Sequence, residues 1–306
     1  MSPTAAPTPS TMKLALGPLL YYWSREDTLA FYEAAAGWPV DIVYLGETVC
    51  SRRHLMRLAD WLEVADRLAG AGKEVVLSSL PLVESESDLK AMRKLVGNGR
   101  HRVEANDFGA VRLCIEAGVG FVAGATLNVY NPETLAMLAE AGAFRWVPPV
   151  EMNRAMLEAM PVPAGVATEV FAYGRLPLAY SARCFTARRY NLQKDDCQFK
   201  CLEHPDGLTL YTREDQPFLA MNGIQTQSAR IYTLAHRVGE LADTGVEVLR
   251  LSPQYRNMAA VVAHYREALA GAPADPAELR KFMYADPCDG YWLGKSGQDF
   301  LPGQAA

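Results

Sequence analysis

The stretch GFVAGATLNVYNPETLAMLAEAGAFRWV, residues 120–147, reads as one complete strand–helix–strand unit. Residues 120–123 are a short apolar run, the composition of a strand covered on both faces. Asn131 offers a side-chain oxygen to the free N–H groups of a helix start, and Pro132 fits its first turn, so a helix is predicted over 132–141. Gly142 ends it by accepting a backbone turn that other residues resist. Residues 144–147 then form the next strand.

The same unit repeats on either side. Toward the N-terminus, strands are predicted at 13–16, 41–45, 74–78 and 102–105. They alternate with helices over 25–36, 54–71 and 107–117 and one beginning at Ser87 and Asp88, with Gly72 and Gly118 as stops. Toward the C-terminus, a short helix over 153–160 precedes strand seven at 166–172. The rhythm then breaks. Residues 174–225 carry turns, charges and three cysteines, with two strand-like pieces at 208–211 and 218–221. It resumes with a helix over 228–242, strand eight at 246–251 and a helix over 258–268.

Eight strand–helix units in order predict an α/β protein, a (β/α)8 TIM-like barrel with a cysteine-bearing insertion after strand seven. A doubly wound open sheet is the alternative, but no Gly-rich phosphate loop accompanies the first strand. The expected organisation is a disordered tail over 1–12 and a single barrel domain over 13–306, including the insertion 174–225. Its last segment, 273–306, is expected to pack over one face.

Of the 306 residues half are hydrophobic, and the net charge is −5. That is a soluble globular composition, and the charge argues against a nucleic-acid partner, whose affinity begins with a basic surface. The start lacks a secretory signal and no apolar run is long enough for a membrane span, so a cytoplasmic protein is expected. In a reducing compartment the six cysteines are expected as free thiols, catalytic thiols or metal ligands rather than disulfides.

Cys184, Cys197 and Cys201 follow a C-x12-C-x3-C spacing, and Cys50 lies in the loop after strand two. A barrel brings both loops to the end where active sites collect. Thiolates suit iron–sulfur clusters and zinc. Structural zinc sites pair at C-x2-C, which is absent, yet spacing alone leaves cluster, zinc and free thiols open. Cys114, among Val111, Leu113 and Ile115, reads as a small buried hydrophobe, and Cys288 as an ordinary thiol in a polar turn or a spare ligand.

At the barrel mouth Glu104, Glu169, Asn128 and Arg250 are candidates for binding a dicarboxylate or moving protons. The bland alternative is that the acids only pair with interior arginines. Arg52-Arg53 and Arg188-Arg189 read as solvated faces that could tune a nearby cluster. No H-E-x-x-H or G-x-S-x-G motif occurs, and His54, His101, His204, His236 and His264 are scattered, so no hydrolytic centre is expected.

The stretch EVFAYGRLPLAYSARC, residues 169–184, with Cys197 and Cys201, resembles the collagenase-like peptidase family, and within it the ubiquinone-biosynthesis branch. LGP at 16–18, YLGE at 44–47, VCS at 49–51, residues 123–128, LPLAYSARCFTAR at 176–188, NGIQT at 222–226 and GYW at 290–292 extend the likeness. The resemblance implies a [4Fe-4S] cluster on Cys50, Cys184, Cys197 and Cys201, and a heterodimer with a UbiU-like sister protein. It further implies oxygen-independent hydroxylation of a quinone precursor, with prephenate as hydroxyl donor. Other roles it allows are a structural or assembly partner with a non-redox cluster, and a tRNA-hydroxylating relative.

Overall fold

The structure, a computed structural model, describes residues 11–304. The expected tail over 1–12 lies almost wholly outside the described residues, and its last member, Met12, is buried. The strands run β1 (Lys13–Leu16), β2 (Ile42–Leu45), β3 (Glu74–Ser78), β4 (Arg102–Ala105), β5 (Phe121–Ala123), β6 (Ala143–Trp146) and β7 (Ala167–Tyr180). They continue as β8 (Leu208–Tyr211), β9 (Pro217–Asn222), β10 (Gln225–Thr233), β11 (Val248–Leu251) and β12 (Pro287–Cys288). β1 to β7 pair in sequence order and in parallel, and β11 pairs with both β7 and β1. The ring is closed: an eight-stranded (β/α)8 barrel.

The helices are α1 (Arg25–Ala35), α2 (Leu58–Gly70), α3 (Glu86–Val96), α4 (Phe108–Ala117), α5 (Pro132–Glu140), α6 (Arg154–Glu158), α7 (Phe185–Arg189), α8 (Val238–Asp243), α9 (Met258–Leu269) and α10 (Pro276–Arg280). Their starts follow local chemistry. Asn131 accepts the Thr134 N–H at 2.9 Å, and Ser24, Ser85, Asp107 and Asn153 cap their helices in the same way. Gly118 ends α4 at φ 64°.

Alternate strand residues divide the core. Ala15, Ile42, Tyr44, Val76, Val122, Val147 and Val248 fill the barrel, while Leu14, Val43, Leu77, Val103 and Leu249 join the larger layer under the helices. No helix among the described residues is long and apolar enough to cross a membrane.

Three expectations are corrected. Strand seven runs to Tyr180: at Tyr173 it exchanges β11 for β10 as partner and continues as a ribbon. Gly174, at φ +124°, makes the bend, and a Cβ there would stand 2.6 Å from Ser252 Cβ. Residues 228–233 belong to β10 and not to a helix, which begins only at Val238. The antiparallel ladder with β9 and the upper part of β7 overrides the helical propensity of that segment. Cys288 lies not in a polar turn but buried on β12, parallel to β10.

Candidate functional site

The barrel interior holds a buried ion network. Arg250, on β11, donates from Nε to Glu169 Oε1 at 2.6 Å and from Nη1 to Glu104 Oε1 at 2.7 Å. Its guanidinium lies over the Tyr44 ring, 4.0 Å from the centroid. Tyr44 Oη donates to Glu169 Oε2 at 2.5 Å and accepts from Arg145 Nη1 at 3.0 Å. Arg145 Nη2 reaches Glu74 at 2.9 Å on the far side. Burial pushes the Tyr44 hydroxyl well above its ordinary value, with Glu169 adding to it. Burial works against the Arg250 charge, but Glu104 and Glu169 outweigh it and hold the guanidinium firmly protonated.

Three of the four barrel candidates therefore meet, and Glu104 and Glu169 do pair with interior arginines as the bland reading had it. Arg250 Nη2, moreover, is buried and has no hydrogen-bond partner among the described residues. Arg250 and Glu104 line a mouth pocket of about 60 Å³ with Asn106, Thr126, Tyr180 and Ser252. That is room for a carboxylate-sized group. Asn106 Nδ2 donates to Glu104 Oε2 at 3.2 Å and to the Ser79 carbonyl at 3.0 Å, so the acid is fixed from both sides. Asn128 is not part of this group. It is exposed, at φ 55°, and closes the turn after β5, a conformation asparagine tolerates.

Beside the mouth, the loop after β2 meets the segment after β7. Cys50 is buried, and Cys184, Cys197 and Cys201 are half-buried. Cys50 packs with Leu20, Val49 and Ile224, against Tyr180 and Cys184. Burial pushes the Cys50 thiol up to about 11, with Arg52 and Arg53 opposing and Glu47 and Cys184 adding. Burial likewise raises Cys201, with Arg53 opposing and Cys184 adding. Cys184 packs beside Cys50. Its sulfur also accepts the Ala187 N–H at 3.4 Å at the start of α7.

Arg53 organises this corner. It donates to the Leu20 carbonyl and to Asn222 Oδ1, both at 2.8 Å, faces Glu47 at 3.4 Å, and its charge opposes the burial that raises the Cys50 and Cys201 thiols. Glu47 accepts the N–H groups of Val49 and Cys50 at 2.9 and 3.0 Å. Arg52 clamps the other loop through the Asp195 carbonyl at 2.6 Å. Between Cys197 and Cys201, Gln198 and Phe199 stand at φ 50° and 51°, left-handed backbone that non-glycine residues enter at a cost.

The expectation of a solvated Arg52-Arg53 face fails at Arg53, which is 4 % exposed because carbonyl, amide and carboxylate partners surround it. Arg188 and Arg189 are exposed as expected. Sequence reasoning named Arg53 only as a residue of a solvated face that could tune a cluster, and it gave Glu47 and Asn222 no role. Their signal was the pairing of YLGE and VCS with NGIQT at one barrel end.

Among the described residues, no three His, Cys, Asp or Glu side chains form a ready metal-holding group. The donor chemistry nonetheless suits iron and sulfur: four thiols, an apolar wall and a buried guanidinium to offset thiolate charge. Cys114 and Cys288 lie in the helix-covered core, their thiols pushed by burial to about 11 and about 12. Among the described residues His101, His204 and His236 bond to Asp66, Tyr190 and Asp289, none to a serine, threonine or cysteine.

Similarities to known proteins complete the picture. The 23S rRNA 5-hydroxycytidine C2501 synthase of Escherichia coli (strain K12) is 23% identical over 258 residues, covering 79% of this chain. The chain spans 38% of the length of that relative. The solved structure of a U32 peptidase superposes with a TM-score of 0.45 at 11% identity, over 82% of this chain and 96% of the other. Mycobacterium tuberculosis tryptophan synthase gives 0.41 at 11% identity, over 89% and 92%. The family model for peptidase family U32 matches residues 27–298, nearly the whole barrel with its ribbon. The chain belongs to peptidase family U32.

Proposed function

We propose that this chain is the iron–sulfur subunit of an oxygen-independent hydroxylase acting on a ubiquinone precursor, paired with a UbiU-like sister protein. The observation that carries the proposal is the packing of Cys50 against Cys184 and Tyr180, in the corner that buried Arg53 anchors through Leu20 and Asn222 beside the barrel mouth. The likeness of residues 169–184 to the ubiquinone-biosynthesis branch supports the substrate. The relative that makes 5-hydroxycytidine supports hydroxylation as the chemistry.

Cys50, Cys184, Cys197 and Cys201 would hold a [4Fe-4S] cluster, which supplies one-electron chemistry when bound. Arg53 offsets the thiolate charge that such ligation requires, and its anchors to Leu20 and Asn222 hold that charge in place. At the mouth, Arg250 Nη2 orients a carboxylate of the hydroxyl donor, for which prephenate is the proposed source. Glu104 Oε2, fixed by Asn106, stands beside that position to hold or accept a proton.

The test is turnover of a quinone precursor with prephenate, without oxygen, by the heterodimer carrying alanine at all four cysteines. Hydroxylation lost while the dimer survives supports the proposal; retained hydroxylation sinks it. A second reading, hydroxylation of an RNA base, follows from the relative's rRNA substrate. Retention of RNA by the purified chain at physiological salt would favour it over the quinone reading.

A further inference from the structure

A second cavity, of about 300 Å³, lies outside the barrel between α2 and α3. Trp61, Leu77, Met92 and Leu95 form its apolar wall, and Glu47, Arg53, His54 and Asp88 are its charged or titratable lining. Its position is specific. Glu47 lines this cavity while its neighbour Thr48 lines the mouth pocket; Leu80 and Pro81 divide in the same way. The loops after β2 and β3 are therefore the partition between two cavities. Arg53 adds a third connection, since it lines the outer cavity and donates to the carbonyl of Leu20, which lines the mouth pocket.

We propose that this outer cavity binds a neutral, ring-bearing apolar molecule of the phenol type. As the acceptor of the hydroxylation proposed above, the ligand's role rests on that reading; its binding does not. Size sets the first limit: the space is roughly twice that of a benzene-sized cavity of about 150 Å³. Charge sets the second. The lining carries two carboxyl groups against one guanidinium, and the terminal nitrogens of Arg53 are already committed to Glu47, Asn222 and the Leu20 carbonyl. Both terminal nitrogens of Arg53 are thus taken and, among the described residues, only its buried Nε lacks a partner, whereas at the mouth Arg250 keeps a terminal nitrogen open. Ser79, at the inner end, accepts the Asn106 N–H through Oγ at 2.9 Å, which leaves its own proton for a ligand oxygen. Aromatic and thioether side chains with a few placed hydroxyls are the lining that ring-bearing ligands select.

The test is calorimetric titration of the full chain with 1-naphthol and with 1-naphthoate. Naphthol is expected to bind in the micromolar range and naphthoate about tenfold more weakly or worse. Leu95→Phe and Ala91→Trp, which fill the cavity from α3, should each weaken naphthol about tenfold while the melting temperature holds. Absent naphthol binding to the unaltered chain, equal binding of naphthoate, or full naphthol binding by a folded filling variant would each overturn the proposal. No turnover is read, so the two ideas separate. Intact binding without hydroxylation leaves the cavity and removes the reaction; hydroxylation without binding does the reverse.

Discussion

Replacing Arg250 by methionine should destabilise the chain by about 4 kcal/mol, within the roughly 3–5 kcal/mol that follows when a buried ion loses its partner. The magnitude depends on which acid is left alone. Glu169, fully buried, would keep Tyr44 at 2.5 Å and Arg145 at 3.5 Å. Glu104, 1 % exposed, would keep only Asn106 at 3.2 Å. Most of the loss therefore sits on Glu104, and adding Glu104→Gln should recover about half of it, since a neutral amide there costs less to bury. Urea unfolding measures this directly. With a slope of about 3 kcal/mol per molar, the single variant should move the midpoint down by roughly 1.3 M. A shift below about 0.3 M, or a double variant no better than the single, would refute the reasoning.

Other outcomes follow from the same geometry. Asp289 is fully buried and accepts from Arg237 at 2.9 and 3.0 Å, from Leu301 N at 2.7 Å and from His236 at 3.1 Å. Burial pushes its carboxyl up, but those donors win and hold it below its ordinary 3.8. Its contribution is thus present above about pH 4 and lost as pH falls through the lower folded value. Asp289→Asn should cost about 3 kcal/mol at pH 7 and lose that acid limb; an unchanged pH profile of unfolding would count against the assignment. Gly174→Ala should destabilise by roughly 2 kcal/mol or more, because φ +124° and Ser252 Cβ at 2.6 Å exclude a methyl group. An unchanged melting temperature would show that the β7 bend does not need glycine.

Much of this fold was legible because its units are local. Asn131, Asp107, Gly118 and Gly142 announce helix ends by chemistry that involves only near neighbours. The ribbon was less legible because its logic is long-range. Residues 225–233 carry Gln225, Gln227 and Ser228, polar side chains that a one-sequence reading leaves in solvent, yet all three are buried on a strand paired with β7 and β9. Ile231, Tyr232 and Thr233 were the available strand signal, outweighed by Leu234, Ala235, Arg237, Leu241 and Ala242 that follow.

The site divides in the same way. Cys50 and Cys184 could be brought together from barrel topology alone, and Glu169 pointed inward by strand alternation. Arg53 could not be placed, since a double arginine looks solvated until Leu20, Glu47 and Asn222 fold around it. Asn128 stands apart from Glu104, Glu169 and Arg250 because its left-handed backbone leaves it exposed beside the turn, which position after a strand does not reveal.

The most direct test of the proposed cysteine site is its metal content. The chain should be purified without oxygen, with its iron, acid-labile sulfide and visible absorption measured beside those of Cys184→Ala. About four iron and four sulfide per chain with broad visible absorption, both lost in the variant, is the predicted result. Zinc in place of iron, or no metal in either protein, would contradict it.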